Sequence, residues 1–238
     1  IGTVLFLISQ ARSASPLISL ALFRDPVLSG GLAMSSFVSA VMMATLVVGP
    51  FYLSQGLGLE TALVGLALSA GPLVAAIAGV PAGRIVDRFG PPRMTVIGLG
   101  GIVTGSLALS TMPKSFGVVG YIAPIVVITA SYALFQAANN TAIMTGIKAE
   151  RRGIVSGMLS LSRNLGLITG ASAMGAIFAA VSATTGGTAA EPEAIAAGMR
   201  TTFTVAAALI AAAIAVAYFS RAHLRRDVSS DLEPCAGC

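Results

Sequence analysis

Apolar runs of about 20 residues recur along the whole of this sequence, with the charged residues other than Arg163 lying in or beside the breaks between them. A run of that length crosses a hydrocarbon core of roughly 30 Å as an α-helix. Backbone N–H and C=O groups in lipid must be paired internally, which restricts spanning structures to helices and closed barrels. A barrel would show alternating segments of about 10 residues, whereas the blocks here are continuous. Composition agrees. Charged residues make up 10% of the chain, against roughly 25% in soluble domains, and mean hydropathy is +0.90. The fold class is therefore all-α integral membrane, a bundle of six transmembrane helices.

The spans read as residues 27–54, 61–82, 94–112, 116–139, 154–181 and 201–220, followed by a tail at 221–238. Residues 1–26 precede them. Ile1 to Ile8 is apolar but too short to cross a bilayer, and the chain starts with isoleucine, so this segment reads as the stub of an earlier helix in a longer protein, followed by a linker. A frayed or interfacial terminus is the alternative. No basic region precedes the short run, which argues against a secretory signal.

Basic residues give the orientation, because cytoplasmic connections near membrane helices are enriched in Lys and Arg. Arg12 and Arg24 precede the first span; Arg84, Arg88 and Arg93 join the second and third; Lys148, Arg151 and Arg152 join the fourth and fifth; Arg221, Arg225 and Arg226 follow the sixth. The other side holds Lys114 and Arg200. Both ends are expected in the cytoplasm. The net charge of +5 then follows from topology and contact with anionic lipid, with no nucleic-acid partner required. Cys235 and Cys238 close the tail as Cys-Ala-Gly-Cys; one such pair lacks the further ligands of a closed zinc site, and no metal or cofactor is expected.

Polar residues within the spans are unevenly placed. The fourth span carries Tyr132, Gln136 and Asn140 at intervals of four, hence on one helical face, with Asn139 beside them. The fifth carries Ser156, Ser160, Arg163 and Asn164. Such groups either hydrogen-bond between helices or line a cavity. Arg163 has about 17 apolar residues after it, roughly 25 Å of rise, so it reads as an anchor snorkelling to the inner interface, with a gating or substrate contact as the alternative. Spans three and six offer few polar groups and read as peripheral. The pairs Gly101/Gly105, Gly153/Gly157 and Gly166/Gly170 suit close helix packing, and Gly49-Pro50 and Gly71-Pro72 place helix bends at Pro50 and Pro72. All nine acidic residues fall in or beside the connections, and no buried nucleophile and base suggest an enzyme.

The break between the second and third spans is Gly83-Arg84-Ile85-Val86-Asp87-Arg88-Phe89-Gly90-Pro91-Pro92-Arg93. Its Gly83-x-x-x-Asp87-Arg88-x-Gly90 core resembles the loop signature of the major facilitator superfamily of secondary transporters. Leu22-Phe23-Arg24-Asp25-Pro26, Pro50-Phe51-Tyr52-Leu53-Ser54-Gln55, Arg152-Gly153-x-x-Ser156-Gly157 and Ser162-Arg163-Asn164-Leu165-Gly166 are similar to the fourteen-helix drug:proton antiporter branch. The resemblance implies the last six helices of such an exporter in a bacterial cytoplasmic membrane, working by alternating access on a small-molecule substrate. It further implies that Gly83, Asp87, Arg88, Gly90 and Arg93 form a conformational latch, and that spans one, two, four and five line the cavity. Met42, Tyr132, Gln136, Asn139, Asn140, Ser160, Arg163 and Asn164 are the candidate lining. The family's basic pair after the second glycine is replaced here by Pro91-Pro92. With no carboxylate at mid-membrane, the proton-carrying group is expected in a missing N-terminal half. A transporter of a defined metabolite, and a non-transporting bundle bound to a partner protein, are the alternatives.

Overall fold

The computed structural model describes residues 25–185 and 192–232. The predicted stub and the Cys-Ala-Gly-Cys terminus lie outside them. Helix α1, Pro26–Phe51, begins where the chain demands it: Pro26 occupies the first turn, and the Asp25 carboxylate accepts the Val27 N–H at 2.8 Å. Near its far end Pro50 has no N–H to give the Leu46 carbonyl. The helix then widens into a π-turn over Tyr52–Gly56, closed by Leu57 N–H on the Tyr52 carbonyl at 2.9 Å. Then come α2, Thr61–Phe89, α3, Pro91–Thr111, and α4, Gly117–Met144. The last two are α5, Arg152–Thr185, and α6, Pro192–Leu232. Short 3-10 turns at Lys114–Phe116 and Ala149–Arg151 introduce α4 and α5. Among the described residues six helices are long and apolar enough to cross a membrane, and the chain is a multi-pass membrane bundle.

The helices outrun the apolar spans. Helix α2 continues seven residues past the predicted end at 82, and α6 starts at Pro192 and continues to 232. The reason is that charges must leave lipid but need not leave the helix. Pro192 and Glu193 also form a favourable first turn.

Helix α1 packs along α5 and α6, α3 lies between α4 and α6, and α2 rests on α4 while touching α1 and α3 only lightly. Leu99 and Ile102 of α3 and Phe203 and Ile210 of α6 are fully buried. The least covered helices are instead α2 and α5, which expose Leu66, Leu73, Ile77, Leu161, Leu165 and Ile168. The lipid exposure expected of spans three and six does not hold for these faces, because an aliphatic face packs against protein as well as it faces lipid.

Apolar side chains gain nothing by leaving lipid for a helix, so close backbone approach has to hold the bundle. A Cβ on Gly166 would stand 2.9 Å from the Ser36 Cα, and Gly170 lies against the Ala40 backbone in the same seam between α5 and α1. Gly101 and Gly105 sit against Ser131 and Ile128 of α4. Gly153 and Gly157 have the same spacing, but among the described residues nothing stands within 4 Å of a Cβ on either, so that pair makes no seam within this bundle.

Candidate functional site

Four helices, α1, α2, α4 and α5, enclose a cleft of about 290 Å³ lined by Met42, Thr45, Leu68, Pro72, Thr129 and Tyr132, among others; α3 and α6 contribute nothing to it. Pro72 supplies no N–H to the Leu68 carbonyl, yet α2 continues as helix through Pro72 and Pro81. The cleft is mostly apolar, with its polar groups on the α4 wall and at Thr45. Thr45 turns its hydroxyl back to the Met42 carbonyl at 2.7 Å, which satisfies it without a ligand.

Tyr132 links the cleft to a ladder of side chains. Arg163 donates from Nη2 to Gln136 Oε1 at 3.1 Å, and Gln136 donates from Nε2 to Tyr132 Oη at 2.7 Å. The direction is fixed by chemistry: a guanidinium has no acceptor, so the Gln136 oxygen must face it and the amide NH₂ must face the phenol. Tyr132 has thereby accepted, and its own O–H remains a donor on the cleft wall. Arg163 Nε is buried with no hydrogen-bond partner, as is Asn140 Oδ1. Helices α4 and α5 barely pack against each other; Arg163 bridges them. Instead of snorkelling outward as an anchor, its guanidinium is bonded into the bundle.

The other candidates separate by position. Asn139 is buried and donates to the Gly31 carbonyl at 3.1 Å, which places it in the α1–α4 seam, not in the cleft. Ser160 and Asn164 are exposed on the open side of α5, near Leu161 and Leu165. Sequence reasoning missed Tyr121 and Thr129, although Tyr121, Ile125, Thr129, Tyr132 and Gln136 follow one another at three- and four-residue steps and so share a stripe.

The residues of the signature between spans two and three do not form a loop. Gly83, Asp87 and Arg88 belong to the last turns of α2, and the reversal is made by Gly90 alone, at φ 86° and ψ 142°, a conformation closed to other residues. Pro91 and Pro92 then open α3, where a missing N–H leaves no carbonyl unpaired. Arg88 lies 5.4 Å from the Phe89 ring centroid, and Asp87 and Arg93 are exposed. Among the described residues Asp87 pairs with no base. Alternating helix direction gathers Arg84, Arg88, Arg93, Lys148, Arg151 and Arg152 at one end of the bundle. The opposite end carries the exposed ion pair Lys114–Glu193, at 3.1 Å.

The model of the Major Facilitator Superfamily matches residues 7–171. An uncharacterized transporter, YebQ, of Escherichia coli K12 is 32% identical over 168 residues, 71% of this chain and 37% of the relative. The multidrug efflux pump LfrA of Mycolicibacterium smegmatis is 28% identical over 76% of this chain and 36% of its own length. The quinolone resistance protein NorB of Staphylococcus aureus is 25% identical over 75% and 39%. The matched stretch thus covers less than two fifths of the length of each of these relatives. With six apolar helices, a four-helix cleft and a family match over most of its length, the chain belongs to the Major Facilitator Superfamily of transporters.

Proposed function

We propose that this chain is the C-terminal half of a fourteen-helix exporter that expels drugs or other lipophilic compounds in exchange for protons. The observation that carries the reading is the cleft: apolar, bordered by the adaptable side chain of Met42 and by aromatic rings, with hydrogen-bonding groups on one wall. Such a lining takes cargo of varied shape, because methionine repacks readily. The similarity to LfrA supports drug efflux as the cargo class. The open apolar sides of α2 and α5 are where the remainder of the transporter would pack, so that two bundles rock about a central site. In this reading the arginine-rich end of the bundle, and both chain ends with it, face the cytoplasm of a bacterial inner membrane. Asp87, carried at the end of α2, latches one conformation by meeting a helix N-terminus or an arginine of the other bundle. The proton-carrying carboxylate lies in that other bundle.

The test is efflux from cells expressing the full-length protein. Resistance to lipophilic cations and antibiotics, with energy-dependent ethidium efflux abolished by a protonophore, is the expected result. No change across the panel counts against the exporter and leaves a metabolite carrier or a non-transporting bundle.

A further inference from the structure

The Arg163–Gln136–Tyr132 ladder is built from donors, and it holds no acid. Arg163 gives Nη2–H to Gln136 and Gln136 gives its amide to Tyr132, so the series points from the guanidinium to a phenol hydroxyl on the cleft wall. At its start, Arg163 Nε is buried without a partner. A guanidinium left in low dielectric with an idle N–H is costly unless an anion joins it. The acidic residues of the described segments lie at or near helix ends, and none pairs with Arg163. Arg163 itself is 11 residues into α5, roughly 16 Å of rise, too deep to be neutralised by the connections.

We infer that Arg163, with Gln136 and Tyr132 behind it, is a binding site for a carboxylate, an inference that rests on the transporter reading above. Nε and Nη2 share one edge of the guanidinium, the fork that meets the two oxygens of a carboxylate. A phosphate, with nearly two negative charges, would find one arginine and no lysine in the ladder. The carboxylate comes from one of two sources, the transported molecule or an acidic side chain of the remainder of the transporter.

The experiment uses the full-length protein in proteoliposomes, wild type and Arg163→Gln. Its cargoes are a fluoroquinolone with a free carboxylate, the methyl ester of the same compound, and ethidium. If the cargo supplies the carboxylate, Arg163→Gln raises KM for the free acid at least tenfold more than it raises KM for the ester or ethidium. If the protein supplies it, all three slow alike, and neutralising one intramembrane Asp or Glu in the Arg163→Gln background restores at least a third of the rate. Unchanged transport of all three, or a uniform loss that no neutralisation restores, overturns the site. Thermal unfolding in detergent reads the site without transport. Benzoate but not benzyl alcohol should raise the wild-type Tm and not that of Arg163→Gln, or Arg163→Gln should lower Tm by several degrees and the second neutralisation restore it; neither shift overturns the site. Failure of the wild type to carry ethidium counts against the exporter reading alone.

Discussion

The seam between α1 and α5 makes a quantitative prediction. A Cβ at Gly170 would stand 2.5 Å from the Ala40 carbonyl oxygen and 2.8 Å from its carbonyl carbon, while at Gly166 it would stand 2.9 Å from the carbonyl carbon of Ser36. Ordinary contact between carbons begins near 3.5 Å, and the opposing atoms are backbone, which cannot rotate aside. Gly170→Ala must therefore separate the helices by roughly 1 Å at that point, and overpacking of this kind costs about 1–3 kcal/mol. Because both glycines lie on one seam four residues apart, the displacement that admits one methyl largely admits the other. Gly166→Ala/Gly170→Ala should accordingly cost clearly less than the sum of the singles, the coupling expected of neighbours. Gly100 of α3 is the control: its Cβ meets nothing, it lies outside the faces of α2 and α5 proposed to meet the rest of the transporter, and Ala is the better helix former by about 1 kcal/mol in exposed positions. Thermal unfolding of the purified full-length variants measures all four. Equal midpoints for Gly170→Ala and Gly100→Ala, or strict additivity of the double variant, would refute the argument.

Asp87→Asn should lower transport about tenfold, the order expected from losing a charge-assisted hydrogen bond in one of two states, while membrane insertion stays intact; full activity removes Asp87 from the latch. Gly90→Ala forces a side chain into left-handed backbone and should destabilise the α2–α3 corner by about 1–3 kcal/mol, read as a lower unfolding midpoint. Asn139→Leu, which breaks the bond to Gly31, should cost about 0.5–2 kcal/mol without changing cargo preference; an altered substrate profile would return Asn139 to the cleft. Lys114→Ala should leave stability within about 0.5 kcal/mol, since the pair with Glu193 is 28% and 74% exposed, and a larger loss would show that this end of the bundle depends on it.

The six spans were legible because hydrophobic length alone specifies a membrane helix. Their ends were less so: hydropathy marks where Arg84 and Asp87 leave lipid, and the helix carrying them stops only where Gly90 turns. Neighbouring asparagines were beyond reach for a related reason. Asn139 and Asn140 differ by one residue and about 100° of helix, so a small error in the assumed face exchanges seam for cleft. The identical spacing of Gly153/Gly157 and Gly166/Gly170 carried no sign of which pair had a neighbour. Arg163 looked like an anchor because its target, Gln136, stands on a helix that α5 scarcely touches.

The one-residue reversal at Gly90 changes what sort of object the superfamily signature is. Asp87 rides on a rod and not on a supple strap. It stands 15 residues beyond Pro72, about 22 Å along the axis of α2, and a tilt of about 10° around that proline sweeps it through about 4 Å, the difference between a formed ion pair and a broken one. In the proposed transport cycle the one-residue corner passes that sweep on to α3, and helix α2 acts as a pointer with its pivot at the cleft, turning small rotations beside the cargo into contacts made or lost at the membrane surface.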